Sequence, residues 1–190
     1  MKNTIAFDFD GTLLDSRNRH IVVMRDVLHD FDIKLDVNDL IEFKSTGKNN
    51  IDYLISKGVN ENTATEIQKK WVENIERNKY LALDVLYDDA VDLLSKYSKE
   101  NDLILITARS NVAGLNKQID KFNLRQYFKE IFIVFPGKTA TDAKAKTLKQ
   151  QNAILMIGDT TSDARAACIA GTRFEFHENG FHNQKTVIKE

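Results

Sequence analysis

The chain has 190 residues, 42% of them hydrophobic and 29% charged, with a formal net charge of -1. That balance suits a globular chain of one domain, or one domain carrying a sizeable insertion, and excludes a disordered segment, a basic nucleic-acid-binding surface and the long apolar run of a membrane span. The single cysteine, Cys168, rules out an intramolecular disulfide and fits a reducing compartment. Its place in the apolar run 166–170 predicts a small buried hydrophobe rather than a nucleophile. The N-terminus lacks a signal peptide's apolar core, so a cytoplasmic location is expected, with neither nucleic acid nor membrane as partner.

The chain opens with Ile5-Ala6-Phe7, the short apolar run of a buried parallel strand, and passes straight into Asp8-Phe9-Asp10-Gly11-Thr12. Two carboxylates at a strand end are costly unless a cation lies between them or one keeps a proton. The alternative is a solvated surface turn, for which D-G is a common pair. Ile21, Met24, Leu28 and Phe31 recur at helical spacing and predict a helix over about 17–31. A second helix begins near Asn38, a polar break covers 45–50, and a short helix spans 51–56 before Gly58. Ala64, Ile67, Trp71 and Ile75 mark a longer helix reaching about Tyr80. Residues 17–84 therefore read as an all-helical insertion without a strand candidate, and Trp71 as part of its core.

From Asp88 the pattern changes to alternating helix and strand. Helices are predicted over about 90–97, 112–122, 141–150 and 162–170, the last closed by Gly171 as a left-handed cap. Apolar strands are predicted at 103–106, 131–135, 153–157 and 172–176. Such strands alternating with helices imply an α/β, Rossmann-like three-layer core with a parallel sheet. That core is expected to comprise 1–16 and 85–190, with a loosely packed polar tail from Glu178.

In a doubly wound sheet the carboxyl ends of the strands converge. The first strand delivers Asp8 and Asp10, the second Thr107 in I-T-A-R-S, and the fourth Gly158, Asp159 and Asp163 in I-G-D-T-T-S-D. Carboxylates and a hydroxyl on one rim make a hard-oxygen site suited to Mg²⁺. Zn²⁺ is not expected, because no Cys or His lies in these stretches and His29, His177 and His182 show no ligand spacing.

These motifs resemble those of the haloacid dehalogenase-like superfamily of phosphohydrolases, whose pattern is D-x-D-G-T, a Thr or Ser at the second strand, a Lys, and G-D-x-x-x-D. The resemblance runs from residue 4 to about 176, and the helical block 17–84 looks like the cap of the phosphoglycolate-phosphatase-like and phosphoglucomutase-like members. It implies a Mg²⁺-dependent phosphatase acting on a small phosphorylated metabolite. Asp8 would be the nucleophile and form an aspartyl-phosphate. Asp10 would protonate the leaving alcohol and then activate water. Family members that break carbon–halogen bonds lack an acid at that position, so Asp10 favours phosphoryl chemistry. The metal would be held by Asp8, Asp159 and Asp10, the last through its backbone carbonyl, with Asp163 as an additional or more distant carboxylate. Thr107 and the backbone amides after it would hold phosphoryl oxygens, with Gly11, Ala108 and Arg109 as further substrate-binding positions.

Lys138, Lys144 and Lys146 compete for the family's lysine. Lys144, opening the run K-A-K-T-L-K, is favoured over Lys138 beside Pro136-Gly137. Arg109, Lys48, Asn49, Arg17 and His20 are candidates for touching substrate, with idle surface as the alternative. Two rival readings stand beside the phosphatase. One is a phosphomutase, returning the phosphoryl group to a sugar. The other is a non-catalytic receiver-type module, which needs neither Asp10 nor a helical insertion.

Overall fold

The structure, a computed structural model, describes residues 2–182. From β1 (Asn3–Phe7) and β2 (Leu14–Asp15) the chain enters a run of helices, α1 (Arg17–His29), α2 (Val37–Ser45), α3 (Asn50–Ser56), α4 (Glu61–Ile75) and α5 (Asn78–Leu81). It leaves them through β3 (Val85–Leu86) and then alternates α6 (Ala90–Ser98), β4 (Asn101–Ala108), α7 (Val112–Lys121), β5 (Phe128–Val134), α8 (Ala140–Gln150), β6 (Ala153–Gly158), α9 (Thr161–Ala170) and β7 (Arg173–Phe176). Two compact units result. One comprises the chain up to Asp15 with Val85–Gly180, the other Ser16–Asp84 with the segment beginning at Phe181.

The first unit is built on a five-stranded sheet of order β5-β4-β1-β6-β7, and every pair in it is parallel. Period-two alternation assigns its side chains to opposite faces. Ile5, Phe7, Leu103, Leu105, Leu155 and Ile157 join α6 and α7 residues such as Leu94 and Ile119 in one apolar cluster. Ala6, Ile104, Ile106 and Met156 join Ala145, Leu148 and Ala166 of α8 and α9 in another. Both faces are covered, which is why the strands read as continuous apolar runs. After β1 the chain moves toward β4 and β5, whereas after β6 it moves the other way, to β7. The carboxyl ends of β1 and β6 therefore flank the switch point where open α/β sheets leave a crevice.

The helical unit has its own core. Ile21, Met24, Leu28, Leu40, Tyr53, Leu54, Ile67 and Tyr80 are buried together, and Trp71 packs against them as its helical spacing predicts. Inside it lies an ion pair between Arg19 Nε and Asp84 Oδ1 at 3.1 Å, with both side chains almost fully buried. Among the described residues no helix is long and apolar enough to cross a membrane.

Several expectations are corrected. The helix expected to reach Tyr80 stops at Ile75, because Arg77 adopts an extended backbone before α5 begins. The third core strand starts earlier, at Phe128, which pairs with Leu103, and ends before Phe135, leaving that ring 75% exposed. The β2–β3 pair, Leu14 with Leu86 and Asp15 with Val85, is too short to carry a periodic signal. Cys168 is exposed. The buried residues of α9 are Asp163, Ala166 and Ala167, and a helix turns the next residue away from such a stripe. The tail is not loose at its start, since Asn179 and Gly180 are buried and the Gly180 N–H donates to the Tyr87 hydroxyl at 2.8 Å. His29 is exposed, and His177 Nε2 lies 3.4 Å from Asp89 Oδ2. The side chain of His182 lies outside the described residues.

Breaking a buried pair strands its partner's charge, typically at roughly 3–5 kcal/mol. Asp84→Ala is accordingly expected to lower the denaturant midpoint of the helical unit sharply, whereas Lys57→Ala, which removes a half-exposed pair with Asp39, should barely move it.

Candidate active site

Asp8 follows the last residue of β1, and its N–H still donates to the Ile157 carbonyl of β6 at 2.9 Å. The strand ladder thus fixes the backbone from which the Asp8 carboxylate projects. The chain then turns back tightly, with the N–H groups of Thr12, Leu13 and Leu14 all donating to the Phe9 carbonyl. Gly11 sits in this turn at φ +84, and a Cβ there would overlap the Asp159 carboxylate. A side chain at this position is excluded twice, by conformation and by space.

Asp159 follows β6, and its Oδ1 accepts from the Thr12 hydroxyl at 3.3 Å. Asp163 lies in the first turn of α9, where it and Thr160 form a reciprocal capping box. Asp8, Asp159 and Asp163 are all buried and offer carboxylate oxygens within 4.8 Å of one another. Lys144 reaches this group from α8, its Nζ lying 2.6 Å from Asp8 Oδ1 and 2.6 Å from Asp163 Oδ1. Of the three competing lysines it alone is buried, and Lys138 and Lys146 are exposed.

The electrostatics follow from burial. Desolvation outweighs the pull of Lys144 and, with Asp163 nearby, pushes the Asp8 carboxyl up to about 7. Desolvation likewise raises Asp159 well above the usual carboxylate range, reinforced by Asp8 and Asp163. Burial alone would lower the Lys144 amine, but Asp8 and Asp163 outweigh it and hold its pKa above the ordinary lysine value. Three carboxylates against one ammonium leave a buried excess of negative charge that either protons or a cation must relieve. Hard oxygen donors with no sulfur or imidazole among them fit a divalent cation of the Mg²⁺ type.

Asp10 is held differently. Its carboxylate takes a two-pronged bond from Arg109, Nε to Oδ2 at 2.6 Å and Nη2 to Oδ1 at 2.7 Å. Arg109 is 3% exposed, so it is no surface charge. The side chain of Asp10 is thus engaged with Arg109. Thr107 is buried near the end of β4 and Ala108 closes that strand, two and three residues beyond Leu105, the partner of Phe7.

Residues the sequence reading passed over include Thr12, visible in the D-G-T run, and Gln118. Gln118 interrupts an otherwise apolar buried stripe with Leu115 and Ile119 on α7, a signal that could have found it. Gly180 is a third, since a Cβ there would also meet Asp159. In the helical unit, Asn49 caps α3 by accepting from the Asp52 N–H, and Lys48 is exposed beside the Phe43 ring. Arg17 is buried, and the His20 ring lies 5.3 Å from that of Trp71. The Lys44 amine also lies over Trp71, at 5.8 Å, and burial lowers it to about 8.

A carboxyl whose pKa is raised by folding contributes stability at low pH that is lost as pH rises through its folded value. Between its ordinary 3.8 and about 7, Asp8 therefore makes the metal-free protein less stable as pH increases. A divalent cation should reverse this. In thermal unfolding, Mg²⁺ is expected to raise Tm more at about pH 8 than at about pH 5. An equal shift at both values would contradict the reading of the trio as a cation site.

Comparison with known proteins bears on the family and the fold. The family model for haloacid dehalogenase-like hydrolases matches residues 5–176. No curated protein matches the chain. Among solved structures, a haloacid dehalogenase-like family hydrolase from Streptococcus pneumoniae superposes with a TM-score of 0.76 at 18% identity, over 96% of this chain and 88% of that one. A predicted phosphatase from Clostridium acetobutylicum gives 0.72 at 23% identity, over 97% and 88%. A magnesium-bound HAD-type protein from Bacillus subtilis gives 0.60 at 23% identity, over 93% and 89%. At such identities the structural likeness speaks for the fold, and the family match speaks for descent. The chain belongs to the haloacid dehalogenase-like hydrolases.

Proposed function

We propose that the protein is a Mg²⁺-dependent phosphatase that hydrolyses a small phosphorylated metabolite through an aspartyl-phosphate on Asp8. The observation that carries this reading is a buried carboxylate at the end of the central strand, bound by Lys144 and crowded by Asp159 and Asp163. Membership of a hydrolase family, a fold neighbour named a phosphatase and another solved with magnesium all support it.

In this reading the Asp8 carboxylate attacks phosphorus and forms an acyl-phosphate bond while the bond from phosphorus to the leaving oxygen breaks. Asp10 gives its proton to that oxygen, releasing the alcohol. Asp10 then takes a proton from water, which attacks phosphorus, frees inorganic phosphate and restores Asp8. Lys144 neutralises charge beside Asp8, and Thr107 with the amide of Ala108 receives the phosphoryl oxygens, the Arg109 amide being spent on the Val134 carbonyl. Asp8, Asp159 and the Asp10 carbonyl would hold the metal, with Asp163 supporting. Bound there, Mg²⁺ supplies neutralisation of the nucleophile and phosphoryl oxygens. The helical insertion, 17–84, takes the role of the cap that selects substrate.

The test is phosphate release from a panel of small phosphate monoesters. Release is expected with Mg²⁺ and not with chelator, and Asp8→Asn should lower it by about a thousandfold or more. Conversion of a sugar phosphate to its isomer without net release would replace this reading with a mutase.

A further inference from the structure

The Asp10–Arg109 pair goes beyond what the motif positions specify. The Arg109 N–H donates to the Val134 carbonyl of β5 at 3.1 Å, which fixes its backbone against the sheet. Its guanidinium, almost wholly buried, meets both oxygens of Asp10, and its Nη2 also donates to Gln118 Oε1 at 3.3 Å. Gln118 is itself 5% exposed and projects from α7. Asp10 has its backbone in the turn after β1, where it bridges to Leu14, and its side chain stays 24% exposed. A planar fork bonded to a planar carboxylate fixes orientation as well as distance, which a lysine ammonium cannot do.

We propose that Arg109, braced by Gln118, is a positioning residue that sets the orientation of the Asp10 carboxyl for proton transfer, and is not a ligand of the substrate's phosphoryl group. This assignment rests on the phosphatase reading above. It replaces the expectation that the Arg109 side chain touches substrate, because that side chain is already engaged by Asp10 and Gln118. Proton transfer between Asp10 and a leaving oxygen or water depends on geometry within hydrogen-bond reach. A carboxyl left to rotate costs turnover without costing affinity.

The experiment measures kcat, KM and inhibition by inorganic phosphate for Arg109→Ala, Arg109→Lys and Gln118→Leu, each also in an Asp10→Asn background. Arg109→Ala is expected to lower kcat by about 10–100-fold with KM and phosphate inhibition nearly unchanged. Arg109→Lys should recover only part of the loss, and Gln118→Leu should show a smaller loss of the same kind. In the Asp10→Asn background Arg109→Ala should cost little more, within about twofold, because a residue acting through Asp10 has nothing left to position. Equal losses in both backgrounds, or weakened phosphate inhibition matching a raised KM, would overturn the proposal and make Arg109 a phosphate ligand. Should Arg109→Ala fail to fold, Gln118→Leu and Arg109→Lys still decide. A folded wild type that releases no phosphate would instead overturn the phosphatase reading itself, which the variant pattern alone does not touch.

Discussion

The site depends on one electrostatic constraint: three carboxylates share a buried space with a single lysine. Asp8, Asp159 and Asp163 come from two strand ends and the first turn of a helix, and Lys144 bridges two of them. Ionised together they would carry more negative charge than one ammonium can offset, in surroundings that desolvate every one of them. A metal-free chain answers with raised carboxyl pKa values, and Asp8 stands near 7. A divalent cation answers the same excess without protons and leaves Asp8 ionised, as the proposed attack on phosphorus requires.

The surrounding fold keeps this arrangement from relaxing. Asp8 is pinned by a ladder bond to β6, Asp163 by its capping box, and Asp159 by Thr12 and by the close approach of Gly11. Parallel strands covered on both faces place these groups at the switch point, where neighbouring crossovers leave in opposite directions. Asp10 is only two residues from Asp8 yet is secured by a different partner, Arg109. Two carboxylates in one motif are thereby given separate surroundings, a division that suits separate chemical roles.

Much of this was legible in the chain. Runs such as Leu103-Ile104-Leu105-Ile106 announce a strand buried on both faces, and acids after two strand ends with a threonine at a third announce where the polar groups gather. Lys144 could be favoured over Lys138 and Lys146, but only the path of α8 brings its amine to Asp8. The Asp10–Arg109 bond was not legible, because it joins residues 99 positions apart and depends on the register of β4 beside β1. Gln118 left a faint trace as a polar residue on an apolar stripe. The burial of Gly180 left none, since its N–H bonds to a tyrosine 93 residues earlier. Cys168 shows the opposite failure: an apolar neighbourhood in sequence became the exposed side of a helix.

The account stands most directly on Asp8 becoming phosphorylated. Mixing the Mg²⁺-loaded protein with a turned-over phosphate monoester, quenching in acid and mapping the label by mass spectrometry would test it. A hydroxylamine-sensitive phosphoryl group on the peptide containing Asp8, absent from Asp8→Asn, is the predicted result. Turnover with no covalent label on that peptide under rapid quenching, or a label on another residue, would contradict it.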